Sequence, residues 1–287
     1  MLTVDGSVRC FGENDANGVL GYNDTTDRYD ASVIGDLSLG SDKIIQLDVG
    51  HAHSCALTNK GEVRCWGDGK DGATGRDNEL ALGDTEHPSA EDPVDVGWTA
   101  AQVSAGIDHS CAMSLDGRGR CWGRNGVGQL GQGNTTYIGD GAGTAMSELT
   151  DINFGSGIKI RSIHAASIST CVITTTGGLR CFGANGHGQA GQGHTETISK
   201  GTNSRTISSE GDVNLGGASV SQVAMGGMNG PARCALNTSG QVKCWGDGSR
   251  GFHGYGDSID IGQSNEPSAR AYHDFGEKVV QLSGVSY

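Results

Sequence analysis

Short runs of alternating apolar and polar residues recur along the chain and are separated by glycine-rich segments. In four places two such runs flank a polar turn that ends in glycine, as in CALTNKGEVRCWG at residues 55–67. This pattern is typical of a β-hairpin with a type I turn and a G1 bulge, because glycine adopts positive φ at little cost. The predicted hairpins lie near residues 53–67, 109–123, 169–183 and 232–246, and a fifth lies near residues 1–12.

Further apolar–polar runs precede and follow the hairpins. KIIQLDVG at 43–50 and AAQVSAG at 100–106 predict a third strand for their units, and DPVDVG at 92–97 and GDVNLG at 211–216 predict a fourth. The repeated cysteines at 10, 65, 121, 181 and 244 give spacings of 55, 56, 60 and 63 residues. Short strands at a regular period predict an all-β fold whose units bury their faces against one another.

Each hairpin ends in the same phrase, a cysteine followed by an aromatic residue and glycine. The aromatic residues at this position are Phe11, Trp66, Trp122, Phe182 and Trp245. Tryptophan and phenylalanine alternate there, and both fill volume although only tryptophan has an N–H. We therefore predict that these side chains pack between units, with light sensing or ligand stacking as the alternative.

Eight of the nine cysteines form pairs with one regular spacing. The pairs are Cys55 and Cys65, Cys111 and Cys121, Cys171 and Cys181, and Cys234 and Cys244. Counting outward from the turn places each pair at a non-hydrogen-bonded position, where cross-strand side chains approach most closely. We predict four disulfides, although the same spacing would also suit reduced buried thiols or zinc ligands.

The ninth cysteine, Cys10, is predicted to be unpaired, because its mate would stand just before Met1. At the other end, KVVQLSGVSY at 278–287 matches KIIQLDVGHAH at 43–53, which leads into a hairpin. We therefore expect the 287 residues to be part of a longer repeat protein.

Composition narrows the classes of partner. The chain has 50 glycines but only 4 prolines, which indicates many tight turns rather than collagen or a proline-rich linker. Its formal net charge of −13 argues against non-specific binding to nucleic acid or to anionic membranes. No apolar run approaches the roughly 20 residues of a membrane-spanning helix, and MLTVDGSVRC does not read as a signal peptide. We expect no nucleic-acid partner and no membrane insertion.

The remaining candidate chemical groups are better explained as structural. His53 and His109 share a repeat position with Ser169 and Ala232, so a catalytic or metal-binding role is not expected there. NGVGQLG at 125–131 lacks the lysine and helix of a phosphate-binding loop. The aspartate-rich loops at 23–30 and 256–262 match no calcium-loop spacing and are expected to be solvated. We predict no catalytic, cofactor-binding or metal-ligating residues, and no cofactor.

The stretches at 53–75 and 109–133, HSCALTNKGEVRCWGDGKDGATG and HSCAMSLDGRGRCWGRNGVGQLGQG, resemble the RCC1 repeat, named for the regulator of chromosome condensation. The resemblance covers essentially the whole chain in about five copies. It implies a β-propeller, usually seven-bladed in this family, of which residues 1–287 would form one region of about five blades. The variant with paired cysteines resembles extracellular RCC1-like repeats of large bacterial and protist proteins, which implies a secreted or cell-surface location.

The resemblance and the lack of a catalytic motif predict a non-enzymatic module that binds a protein or glycan partner. Long connectors on a rigid scaffold usually form such sites, here at 78–93, 134–151 and 194–212. The founding family member also implies a second function, that of a guanine nucleotide exchange factor for a small GTPase. A secreted enzyme inhibitor, and a glycosidase with two carboxylates across a channel, are compatible with the same fold.

Overall fold

The computed structural model describes residues 1–201, 205–217, 219–227 and 232–283. Four three-stranded antiparallel sheets form the fold, each built from three strands that are consecutive in the chain. The strands are β1 (Ile44–Val49), β2 (His53–Thr58), β3 (Val63–Gly67), β4 (Ala100–Ala105), β5 (His109–Ser114), β6 (Gly119–Gly123), β7 (Ile160–Ala166), β8 (Ser169–Thr174), β9 (Leu179–Gly183), β10 (Val220–Met225), β11 (Ala232–Asn237) and β12 (Val242–Gly246). The all-β prediction is therefore confirmed.

Among the described residues, helical structure is limited to short connector segments. One helix, α1, spans Ile207–Glu210, and 3-10 turns lie at Lys70–Gly72, Pro88–Ala90, Met146–Glu148 and Pro267–Ala269. None of the helices in the described ranges has the length and apolarity needed to cross a membrane.

The hairpin register follows from the turn chemistry. Gly61 has φ +80°, and its N–H donates to the Thr58 carbonyl at 2.9 Å. The Thr58 N–H in turn donates to the Glu62 carbonyl at 2.9 Å. Stepping outward from this hydrogen-bonded pair sets Cys55 opposite Cys65, as predicted. Because the turn geometry recurs at the equivalent glycine of β5–β6, β8–β9 and β11–β12, the four hairpins share one register.

The predicted fourth strands are wrong in extent. Val94 makes a single antiparallel bridge with Val63. The chain then leaves the sheet edge, because the Val96 N–H donates back to the Val94 carbonyl at 3.0 Å and the Val96 carbonyl accepts from Arg120. Such an i to i+2 bond is an inverse γ-turn, which ends a ladder.

The predicted fourth strand at 211–216 is likewise reduced to an isolated contact. The Val213 N–H donates to the Leu179 carbonyl at 2.7 Å.

The predicted hairpin near residues 1–12 is present in short form: the Met1 amino group donates to the Arg9 carbonyl at 2.7 Å, the Arg9 N–H donates to the Met1 carbonyl at 2.9 Å, and Gly6 in the turn has φ +91°. Leu2 bridges Val8 outside any assigned strand.

The chain forms two compact units, each with its own core. The first contains Met1–Asn125 and Thr136–Asp151, and the second contains residues 126–135 and the chain from residue 152 onward. The core of the first unit includes Trp66 with Ile44, Ala56 and Leu82, whereas Leu236, Val242 and Cys244 form a buried cluster in the second. The prediction that residues 1–287 form a single propeller region stays a prediction.

Candidate functional site

Four disulfides join the paired cysteines across the hairpins. The bonded pairs are Cys55–Cys65, Cys111–Cys121, Cys171–Cys181 and Cys234–Cys244, with Cα–Cα distances of 4.0–4.1 Å. Because their sulfurs are bonded to each other, these eight residues act neither as nucleophiles nor as zinc ligands. Cys10 is the free cysteine, and burial raises the pKa of its thiol.

The repeat aromatics lie at junctions between successive copies. Trp66, Trp122, Phe182 and Trp245 are each 0% exposed. The Trp122 indole N–H donates to the Ala73 carbonyl at 3.1 Å, and the Trp245 N–H donates to the Gln189 carbonyl at 3.0 Å. Ala73 and Gln189 belong to the glycine-rich segment of the preceding copy. These aromatics therefore tie one copy to the next and are not available to a ligand.

The glycine-rich segments are shaped by this contact. Gly75 and Gly191 have φ of +69° and +76°. A Cβ atom on Gly75 would lie 2.9 Å from Nε1 of Trp122, and one on Gly191 would lie 3.0 Å from Nε1 of Trp245. Only glycine combines this backbone conformation with so close an approach.

Phe11 departs from the predicted packing role. It is 49% exposed, and it borders a groove of about 230 Å³ with Val19, Leu47 and Val49. An aromatic at this repeat position is covered by the glycine-rich segment of the preceding copy. The Phe11 ring instead faces this groove.

The repeat histidines are buried at the contacts between copies. His53 and His109 are buried, and burial lowers the pKa of His53 to about 4 and that of His109 to about 3. His53 Nε2 lies 2.9 Å from Oγ of Ser110 in the next copy, and this hydroxyl donates to the Ala73 carbonyl at 2.9 Å. The neutral imidazole of His53 therefore joins the hydrogen bonds that link neighbouring copies.

A basic residue before the second cysteine of each hairpin was missed by the sequence analysis. Arg120 donates from Nε to Asp151 Oδ1 at 2.6 Å, and Arg180 does the same to Asp212 at 2.6 Å. Each guanidinium group also donates to a connector carbonyl, Arg120 to that of Val96 and Arg180 to that of Phe154. The recurring x-R-C phrase is the signal that could have identified these anchors of the connectors.

The fourth tryptophan, Trp98, lies at the surface of the first unit and was also missed, because it stands outside the repeated phrase. Its indole N–H donates to Asp151 Oδ1 at 3.3 Å, and the guanidinium carbons of Arg118 and Arg120 lie 5.6 and 5.8 Å from its ring centroid. Leu115, in the same turn as Arg118, is 83% exposed. These five residues are called the Trp98 patch.

Three potential metal ligands converge in the second unit, although no metal-ligating residues were expected. One donor atom each from His187, Asp247 and Asp260 lies within 4.8 Å of the others. His187 Nδ1 is 3.2 Å from Asp260 Oδ2. In the other aspartate-rich loop, Asp24 instead pairs with Arg28 at 2.8 Å, and this hydrogen bond lowers the pKa of Asp24 to about 2.

Comparison with known proteins agrees with the predicted repeat. Residues 44–73 and 100–129 match the family model described as "Regulator of chromosome condensation (RCC1) repeat". Over 224 residues the chain is 32% identical to "Probable E3 ubiquitin-protein ligase HERC4" of Mus musculus, which covers 76% of this chain. The chain spans only 19% of the length of that relative.

Solved structures show the same fold at low sequence identity. Human WBSCR16 superimposes with a TM-score of 0.69 at 20% identity, over 94% of this chain and 63% of that chain. Prp20p of Saccharomyces cerevisiae superimposes with a TM-score of 0.68 at 22% identity, over 92% of this chain and 60% of that chain. With its repeated hairpins, buried junction aromatics and four disulfides, the chain belongs to the RCC1-like repeat family of β-propellers, in a variant with paired cysteines.

Proposed function

We propose that the chain is a non-enzymatic propeller module that binds a protein partner through the Trp98 patch. The observation that carries the proposal is a cluster in which the partly exposed Trp98 of the connector lies beside Arg118 of the β5–β6 turn, a turn that also carries the exposed Leu115. Trp98 and Arg118 are of the two residue types that, with tyrosine, dominate binding energy at protein interfaces. Leu115, in the same hairpin turn as Arg118, is 83% exposed and adds apolar surface that a partner could cover.

The patch is held in place before any partner arrives. Asp151 accepts hydrogen bonds from Trp98 and from Arg120, so the indole has a defined orientation. Arg118 is paired with Asp116 at 2.9 Å within the hairpin turn, and its guanidinium lies near the Trp98 ring. A preorganised surface loses less conformational entropy when it binds, which favours affinity.

Similar propellers support a protein as the partner class. The structural work on yeast Prp20p describes binding to Gsp1p and histones, and a second structure contains Kap60 bound to yeast RCC1. A guanine nucleotide exchange function is tested separately by nucleotide release from a panel of small GTPases. Accelerated release would overturn the non-enzymatic proposal.

The proposed location is outside the cytosol, at the cell surface or secreted. Four disulfides support it, because such bonds persist mainly in oxidising compartments. The test is the intact mass of the protein isolated from its native host and alkylated without reductant. Alkylation confined to Cys10 is expected, and eight further alkylated thiols would contradict this location.

Site-specific cross-linking tests the binding surface. A photoreactive amino acid replaces Leu115 in one protein and Val33 in the control, since Val33 is also exposed in the first unit. Each protein is illuminated with the surface and secreted proteins of the native host. We expect one discrete adduct from position 115 and none from position 33.

A competition arm ties the adduct to Trp98. Excess unlabelled wild-type chain should abolish the adduct, whereas the Trp98→Ala chain should compete at least about tenfold less well, as for a binding hot spot. Equal competition by the Trp98→Ala chain, or no adduct at position 115, would overturn the proposed surface.

A further inference from the structure

The junction between the fourth and fifth copies brings three ligand-type side chains together in the second unit. His187 lies in the glycine-rich segment of the fourth copy. Asp247 directly follows Gly246, and Asp260 precedes Ile261, which bridges Gly246. The end of β12, a segment bridged to it and one loop therefore supply the three side chains.

The two loops that carry His187 and Asp260 are pressed against each other. A Cβ atom on Gly188 would clash with the backbone of Gly262, and one on Gly262 would clash with Gly188. The Gly248 N–H also donates to Asp260 Oδ1 at 2.8 Å, which fixes that carboxylate. The side chains thus meet on a close backbone contact and not on freely moving loops.

The charge of this junction is unbalanced. Asp247 is only 6% exposed, and Asp260 is mostly buried. Within residues 1–201, 205–217, 219–227 and 232–283, neither carboxylate has an arginine or lysine within ion-pair distance. Burying carboxylates without a cation is costly, because the charge loses its hydration.

Both carboxylates nevertheless have fixed hydrogen-bond donors. The Ser249 N–H donates to Asp247 Oδ1 at 2.7 Å. Backbone N–H groups therefore hold both carboxylates in place.

Another junction of the same chain shows how such charges are balanced elsewhere. Arg124 directly follows the Trp122–Gly123 pair and so occupies the repeat position of Asp247. It pairs with Asp108 at 2.9 Å and lies 3.8 Å from Asp71, which occupies the repeat position of His187. The junction between the second and third copies thus contains a cation supplied by the chain itself.

We propose that His187, Asp247 and Asp260 bind a divalent transition-metal cation of the Zn²⁺ type. One imidazole with two carboxylates suits such a metal, whereas calcium prefers oxygen ligands alone. The 3.2 Å between His187 Nδ1 and Asp260 Oδ2 is close to the roughly 3.3 Å edge of a tetrahedral zinc site. His187 is half-exposed and leaves a path for the ion and for a water ligand.

The cation would join the fourth copy to the fifth. His187 comes from one copy and the two aspartates come from the next, so that a bound ion replaces the Arg124 ion pairs of the earlier junction. Its double positive charge balances the two carboxylates. The role is structural, and it is independent of the Trp98 patch, which lies in the other unit.

Calorimetric titration of the metal-free full chain with zinc chloride tests the site. All proteins contain Cys10→Ser, so that the free thiol cannot bind the metal. We expect one equivalent of zinc to bind to this chain, binding at least tenfold weaker in His187→Gln, and loss of binding in Asp247→Asn. The matched control is His87→Gln, which removes an exposed histidine of the first unit and should bind zinc as before.

A second measurement covers the case in which Asp247→Asn does not fold. Zinc should raise the melting temperature of the Cys10→Ser chain and of His87→Gln, but not that of His187→Gln, whose half-exposed side chain is not part of the core. Absence of stoichiometric binding, or binding and stabilisation that His187→Gln leaves unchanged, would overturn the proposal.

Discussion

Lowering the pH from 8 to 5 should destabilise the first compact unit through two buried histidines. His53 and His109 are buried in the folded chain, and burial lowers their pKa values to about 4 and about 3, from an ordinary value of 6.5. The unfolded chain therefore takes up protons first as the pH falls. The stabilisation by the neutral imidazoles is complete above pH 6.5 and is lost progressively as the pH falls towards 4 and 3.

The size of the effect follows from these pKa values. At pH 5 an unfolded imidazole is almost fully protonated, whereas either folded imidazole is almost fully neutral. Each histidine then lowers the free energy of unfolding by about 2 kcal/mol relative to pH 8, and the pair lowers it by roughly 4 kcal/mol. This is a large part of the 5–15 kcal/mol typical of a folded protein. Asp24, whose pKa is about 2, contributes mainly at lower pH.

Urea unfolding followed by tryptophan fluorescence at pH 8, 6.5 and 5 measures this loss. The informative variant is His109→Ser, because Ser169 stands naturally at the same repeat position. The variant is expected to be less stable at every pH, but its loss of unfolding free energy between pH 8 and 5 should be about 2 kcal/mol smaller than that of the wild type. An unchanged free energy of unfolding at pH 5, or a variant that keeps the whole pH dependence, would refute the assignment of these protons to the buried imidazoles.

Three further outcomes are expected in urea unfolding. Replacing both Cys111 and Cys121 by serine should lower the free energy of unfolding by about 3 kcal/mol, because the disulfide closes a loop with a sequence separation of 10. Reducing the disulfides of the wild type should abolish the difference in stability between the two proteins. Gly191→Ala should lower the free energy of unfolding by several kcal/mol, since the new Cβ would lie 2.6 Å from Val213 Cγ1. The control Gly251→Ala, at φ +72° with no atom within 4 Å, should lower it by about 1 kcal/mol. Phe11→Ala should cost less than about 1.5 kcal/mol because the side chain is half-exposed, and a cost near the 3–5 kcal/mol of a core phenylalanine would show that it is covered.

Much of each hairpin could be predicted because its determinants are local. The glycine at position 61 has positive φ, the turn is three residues long, and the pairing of Cys55 with Cys65 follows by counting. The fourth strand near Val94 could not be predicted in this way. Its extent depends on whether backbone groups bond to the sheet edge or to Arg120, and both choices are compatible with the same apolar–polar pattern.

Burial of the junction aromatics depended on the neighbouring copy. The repeated phrase alone does not separate Trp122 from Phe11, because both follow the repeat cysteine and precede glycine. Trp122 is covered by the segment that contains Ala73, whereas Phe11 is half-exposed. The local sequence determines the size of a side chain, but its exposure depends on which segment packs over it.

The sequence by itself determined the repeat, the hairpin register and the cysteine pairs, because these depend on turn chemistry and on residues within about a dozen positions. Only the tertiary structure decided the Trp98 patch and the proposed cation site. Trp98 meets Asp151 across 53 positions, and His187 meets Asp260 across 73. Such contacts arise from the packing of one copy on the next and from connector paths of unequal length, for which the repeat pattern contains no signal.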